Sequence, residues 1–181
     1  MRIRRFTLPV ALMSFCVTAF AQSGMQMTAT SPVLPDAQKS FAQMKTLAGS
    51  WLGTVTTTPP SEVQGKSVHI TIRATSMGNA LLHEIKLQGR PDDPITMLYL
   101  DEGRLLLTHY CDAGNRPRMV GKMSPDGKVV EFEFLDIAGA TQYHMHHSVF
   151  TMIDATHHSE DWTFMVGDKP IVAHMELQRA D

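Results

Sequence analysis

The stretch "KVVEFEFLD" (residues 128–136) puts Val130, Phe132 and Phe134 on one parity and Glu131 and Glu133 on the other. Side chains two apart on an extended chain share a face, so this segment reads as a strand with one dry side and one wet side. The same pattern stands upstream in "SVHITIR" (67–73), where Val68, Ile70 and Ile72 oppose His69, Thr71 and Arg73. It returns near the end in "PIVAHMELQ" (170–178), where Ile171, Ala173, Met175 and Leu177 oppose His174, Glu176 and Gln178.

Working outward from these segments, strands are expected at 51–58, 67–75, 80–88, 95–101, 104–111, 117–123, 129–136, 146–153, 160–166 and 170–178. Turn residues stand between them: "MGN", "PDDP", "DEG", "DAGN", "SPDG", "DAT" and "GDK", each rich in the residues that favour reversal. "DEGR" and "PDGK" read as tight hairpins, which fits an antiparallel meander. About ten two-faced strands describe an all-β, up-and-down barrel closed on itself, wide enough inside for one small molecule. A β-sandwich is the alternative closure.

Before the strands, Asp36 can cap a short helix running to about Leu47, with Phe41, Met44 and Leu47 on one stripe and Gly49 as its stop. Residues 22–35, "QSGMQMTATSPVLP", have no apolar period and read as a flexible leader. The first 21 residues carry Arg2, Arg4 and Arg5, an apolar run from Leu8 to Phe20, and the small-x-small site Ala19-Phe20-Ala21. That is the pattern of a secretory signal peptide cleaved after Ala21. The expected organisation is therefore signal 1–21, leader 22–35 and one barrel domain 36–181, exported to a periplasm or beyond the cell.

Cleavage would remove three arginines and no acid, taking the formal charge from −2 to −5. An acidic chain lacks the cationic footprint of a nucleic-acid binder. After the signal, no segment approaches the roughly 20 apolar residues of a spanning helix. Only Cys111 would remain, so stability is expected from a packed core rather than a disulfide.

"LAGSWLGTV" (47–55), coming after a short helix and before a strand meander, resembles the G-x-W opening of the calycin superfamily, the lipocalin-like and fatty-acid-binding-protein-like barrels. "HHSEDWTFMVGDKP" and the whole late half resemble a family of uncharacterised secreted bacterial proteins assigned to that class. On this resemblance Trp51 closes one end of the barrel, with Gly49 and Gly53 giving the chain room to bend. Calycins imply binding of an apolar or amphipathic ligand rather than catalysis. A ten-stranded branch, the nitrobindins, is similar through G-x-W-x-G, here Gly49, Trp51 and Gly53, and implies ferric haem on a last-strand histidine. His174 occupies that strand but shares the Glu176/Gln178 face, away from the apolar row.

The remaining polar candidates are weighed on that frame. His83 shares the face of Leu81, Ile85 and Leu87 and is expected inside the barrel, where a lone imidazole needs a partner. His83, His109, Tyr99 and Tyr143 are candidates to orient a ligand, and Arg116 and Arg118 to meet an anionic headgroup. His109 and Cys111 share one face, and His144 and His146 of "HMHH" (144–147) share another, so the four form a candidate Cu or Zn donor set. The strands that carry the two pairs are separated by two others. His157 and His158 are read as solvated turn residues beside Asp154. No G-x-S-x-G elbow or H-E-x-x-H spacing is present. Three functions follow: a barrel that binds a small apolar or amphipathic molecule without catalysis, a Cu, Zn or haem protein, and a filled barrel acting as an interaction module. A hydrolase using His109 or His146 is a more distant fourth.

Overall fold

The computed structural model describes residues 36–91 and 93–180. The signal and leader expectations, residues 1–35, lie outside the described residues. One helix, α1 (Asp36–Lys45), precedes ten strands: β1 (Gly49–Thr58), β2 (Ser67–Thr75), β3 (Ala80–Leu87), β4 (Ile95–Asp101), β5 (Arg104–Tyr110), β6 (Arg116–Met123), β7 (Val129–Ala138), β8 (Tyr143–Met152), β9 (His157–Val166) and β10 (Lys169–Arg179). Each strand pairs antiparallel with its sequence neighbours, and β1 pairs with β10 from Trp51↔Arg179 to Thr58↔Val172. The sheet is a closed up-and-down barrel, and the β-sandwich alternative is excluded.

Local chemistry explains the boundaries. Asp101 pairs with Arg104 across Glu102-Gly103, both at positive φ (48° and 75°). That is the twist a two-residue hairpin needs, so "DEGR" turns as read. "PDGK" does not: residues 124–128 form a longer loop in which Gly127 N–H bonds Ser124 O at 3.0 Å. α1 ends at Lys45, short of Leu47, because Thr46, Leu47 and Ala48 each bond back three residues at 3.0–3.1 Å, tightening the last turn.

β8 and β9 each begin three residues earlier than expected, at Tyr143 and His157. Asp154 accepts the Thr156 N–H at 2.7 Å and closes the turn between them quickly. "HMHH" therefore lies within β8, and His157 and His158 are strand residues.

Packing divides the interior in two. At the lower end, Trp51 is fully buried and donates its Nε1–H to Leu47 O at 2.8 Å. Arg179 from β10 lies over the indole at 4.1 Å and donates to the carbonyls of Ala48 and Thr46 at 2.8 and 3.2 Å. Gly49, at φ +147°, is where a side chain would collide with that guanidinium, and a Cβ on Gly53 would strike the backbone of Glu176. The G-x-W-x-G spelling is thus dictated by close approach. Phe41, Met44 and Leu47 complete the floor. Toward the upper end, where β3, β5, β7 and β9 finish, the core gives way to a cavity.

Candidate functional site

The upper cavity has a volume of about 300 Å³. Its walls are Val55, Ile85, Leu87, Met145, Phe164, Ile171 and Met175 from the inward rows of β1, β3, β8, β9 and β10, and Trp162 also lines it. That is the lower limit of a small-molecule site, with the mostly apolar lining such sites have. A larger concavity of about 790 Å³ runs between α1 and β5–β7, but its walls include Lys39, Arg104, Lys122 and Glu131. Those are solvated side chains, and the buried Ser40 beside them already donates its hydroxyl to Asp36 O at 2.8 Å.

Polar side chains line the cavity as well: His109, Cys111, Thr57 and Ser61, with the charged Glu62, Arg90 and Asp112 at its rim. His109 is 2% exposed, and its Nδ1 lies 2.8 Å from Thr96 Oγ1, itself wholly buried. Burial, reinforced by the charge of His83, lowers the His109 pKa to about 4, against a weaker opposing pull from Asp112. The ring is therefore neutral at physiological pH. Cys111 follows the end of β5 and points its thiol at Asp112 Oδ1, 3.6 Å away. Burial pushes that thiol up and the negative charge of Asp112 adds to it, so it is a protonated, weak nucleophile. At the rim, Arg90 pairs with Glu62 at 3.1 Å and with Asp112.

Beneath the cavity lies a polar knot. The carboxylate of Glu160 is wholly buried, with His83 Nε2 at 3.0 and 3.1 Å, His158 Nε2 at 3.0 Å and the Trp162 Nε1–H donated at 2.8 Å. Burial alone would raise the Glu160 pKa, but the charge of His83 and the hydrogen bonds from His158 and His83 outweigh it and bring it down to about 2. An ionised carboxylate only accepts, so both imidazoles donate from Nε2. Their Nδ1 atoms are sealed and have no partner among the described residues. His158 packs edge-on against Trp51 at 4.2 Å, so the knot reaches the floor.

The expected ligand-orienting residues separate on this frame. His83 does face inward, but its partner is Glu160 and it does not line the cavity. Tyr99 is on the outer face of β4, its hydroxyl 3.0 Å from Thr108 Oγ1. Tyr143 is exposed at the start of β8, and Arg116 is exposed at the start of β6. Arg118 is on the outer face, in a two-pronged pair with Asp136 at 2.8 and 2.5 Å. Of the six, only His109 lines the cavity. His158 is a correction: it is fully buried, not a solvated turn residue.

The metal donors also separate. β7 and β8 pair only as far as Glu133↔His147, and β8 bulges between Met145 and His147. At this parted edge His146 stacks on Phe134 at 4.7 Å, and His144 Nε2 lies 3.2 Å from His146 Nδ1. Burial and the neighbouring His144 and His147 lower the His146 pKa. His109 and Cys111 do not join them: among the described residues the one group of three donors within 4.8 Å is Glu131, Glu133 and His147, on the outer face. His174, where the resemblance implies a haem ligand, is also outside, its Nδ1 2.8 Å from Asp161 Oδ1. That position does not fit a buried haem.

No protein-family description and no curated protein matches the chain. Solved structures do. Rv2717c from M. tuberculosis superposes with a TM-score of 0.57 at 17% identity, covering 78% of this chain and 98% of that one. A protein of unknown function from the DUF3598 family of Nostoc punctiforme PCC 73102 superposes with a TM-score of 0.54 at 12% identity, over 75% of this chain. This chain spans about half of that protein, 48% of its length. Likeness at these identities shows the barrel fold and nothing of activity.

Proposed function

We propose that this protein is an exported, calycin-like binding barrel that holds a small apolar or amphipathic molecule, without covalent chemistry, in its upper cavity. The observation that supports this best is the 300 Å³ space itself, with apolar walls and one neutral, nearly sealed imidazole. Apolar burial supplies the affinity, and His109 supplies orientation. The volume is near that of ten water molecules, at roughly 30 Å³ each, room within the walls for a small molecule of about ten non-hydrogen atoms. The carboxylates Glu62 and Asp112 at the rim and the protonated Cys111 offer no activated nucleophile, which favours binding over catalysis.

Native mass spectrometry of freshly purified protein should show a bound molecule released on denaturation. Ala173→Trp, which fills the cavity from β10, should abolish that species and any ligand-induced rise in Tm while leaving the far-UV spectrum unchanged. Undiminished binding by this variant would refute the site.

A second reading is a Cu or Zn ion on His144 and His146. Two nitrogens on one tetrahedral ion stand about 3.3 Å apart, close to the 3.2 Å seen here, and His144 Nδ1 is held by Thr141 O at 2.8 Å. Such an outer partner fixes a ligating ring. Elemental analysis of native protein and of His144→Ala tests it; equal metal in both, or none in either, rejects it.

A further inference from the structure

We propose that the cavity selects an uncharged ligand bearing a hydrogen-bond-accepting oxygen, of the ketone, aldehyde or ester class, through the Nε2–H of His109. The inference rests on the binding reading above and adds the ligand's chemistry to it.

Thr96 Oγ1 is fully buried, and His109 Nδ1 is its one hydrogen-bond partner among the described residues. That contact can be made two ways. If Nδ1–H donated to the hydroxyl, the hydroxyl's own proton would be sealed in the wall with nothing to receive it, a costly orphan. If Thr96 donates to Nδ1 instead, no proton in the pair is stranded, and the imidazole's single proton sits on Nε2. Among the described residues the sealed, unpartnered side-chain atoms are His83 Nδ1, His158 Nδ1, Ser148 Oγ and Asn115 Oδ1. Among the described residues His109 Nε2 also has no hydrogen-bond partner, yet it is not one of these sealed atoms, because its ring opens on the cavity. Of the other donors that line the cavity, Thr57 Oγ1 is bonded to Ser61 and Gln64, and Arg90 is held at the rim by Glu62 and Asp112, so the N–H left to address a ligand among the apolar walls is that of His109.

Charge excludes the anionic choice. Burial holds the His109 ring neutral at physiological pH, so it offers a hydrogen bond and no ionic attraction. At the rim one guanidinium, Arg90, faces two carboxylates, Glu62 and Asp112, which leaves a negative excess where an anionic headgroup would have to enter. The same tautomer leaves no lone pair on Nε2 for a metal or a haem iron.

Three probes of nearly equal size separate the alternatives: acetophenone, cumene and benzoate, titrated into the native protein and followed by chemical-shift changes and calorimetry. The expected order is acetophenone tighter than cumene by roughly tenfold, the worth of one well-placed hydrogen bond, with benzoate weakest. Nitrogen-15 spectra should show the His109 proton on Nε2. Thr96→Val, nearly the same in shape, should release the tautomer and shrink the acetophenone preference while cumene binding holds; His109→Phe should erase the preference. Equal binding of acetophenone and cumene, tightest binding of benzoate, or a proton on Nδ1 in the native protein overturns the inference and leaves the cavity reading standing. If none of the three binds, the cavity reading itself falls.

Discussion

His83 and His109 are near-equivalents by position and opposites by partner. They flank Thr96 in one lateral row, since Thr96 pairs with His83 on one side and with His109 on the other. Both are sealed from solvent, and each ring centroid lies 5.6 Å from Trp162. His83 meets the Glu160 carboxylate, and its charge helps hold that group ionised; His109 meets a hydroxyl and is neutral. Burial alone therefore does not decide what an imidazole does inside a barrel. A carboxylate in reach ties it into a structural hydrogen-bonded knot, whereas a hydroxyl leaves it free to address a ligand.

The sharpest way to break the contrast is at Glu160. Glu160→Ala strands the Trp162 N–H and two imidazoles in a dry core, and a loss of about 3–5 kcal/mol in urea unfolding is expected. A loss under about 1 kcal/mol would show that the knot does not differ from the rest of the core.

Acid titration separates the two histidine environments next. The unfolded chain takes up a proton at His109 near pH 6.5 that the folded protein refuses until about pH 4, so stability falls as pH drops through that window. The Glu160 pKa falls from 4.5 to about 2 on folding, so its contribution is complete above pH 4.5 and drains away as pH falls toward 2. Each step amounts to about 3 kcal/mol when complete. Unfolding midpoints measured against pH should show both, and His109→Asn should remove only the upper one. A profile flat between pH 6.5 and 4 would contradict a neutral, buried His109.

Smaller still, Thr96→Val should cost about 1 kcal/mol in thermal or urea unfolding, the net worth of one hydrogen bond. Smallest of all, Arg118→Gln should change neither ligand affinity nor stability measurably, because its pair with Asp136 is on the solvated outer face. A clear loss of binding there would move the site outside the barrel.

The sequence made the barrel legible where the inward row was apolar, as in β2, β7 and β10. It also placed His83 inward from parity alone. It failed where the inward row was polar. In β9 that row is His158, Glu160, Trp162 and Phe164, and a histidine beside Asp154 looks like a turn until the chain is seen to pair. Tyr99 failed for the opposite reason: "ITMLYLD" is apolar on both parities, so period two marks no face. Glu160 announced itself only indirectly, as the partner that an inward His83 required. Arg179 carried no local signal, because its role comes from β10 meeting β1 across the whole domain.

That meeting has a consequence for how the chain matures. β1 and β10 are the first and last strands of the described residues, and the register Trp51↔Arg179 joins them. Until residues 169–179 have left the ribosome, the growing sheet has two bare rims able to template foreign strands. The seam is also the most distant pairing in the sequence and the costliest loop to close. The stacking of Arg179 on Trp51 is thus a final latch, and a fragment ending before it would be expected to cling to chaperones or to copies of itself.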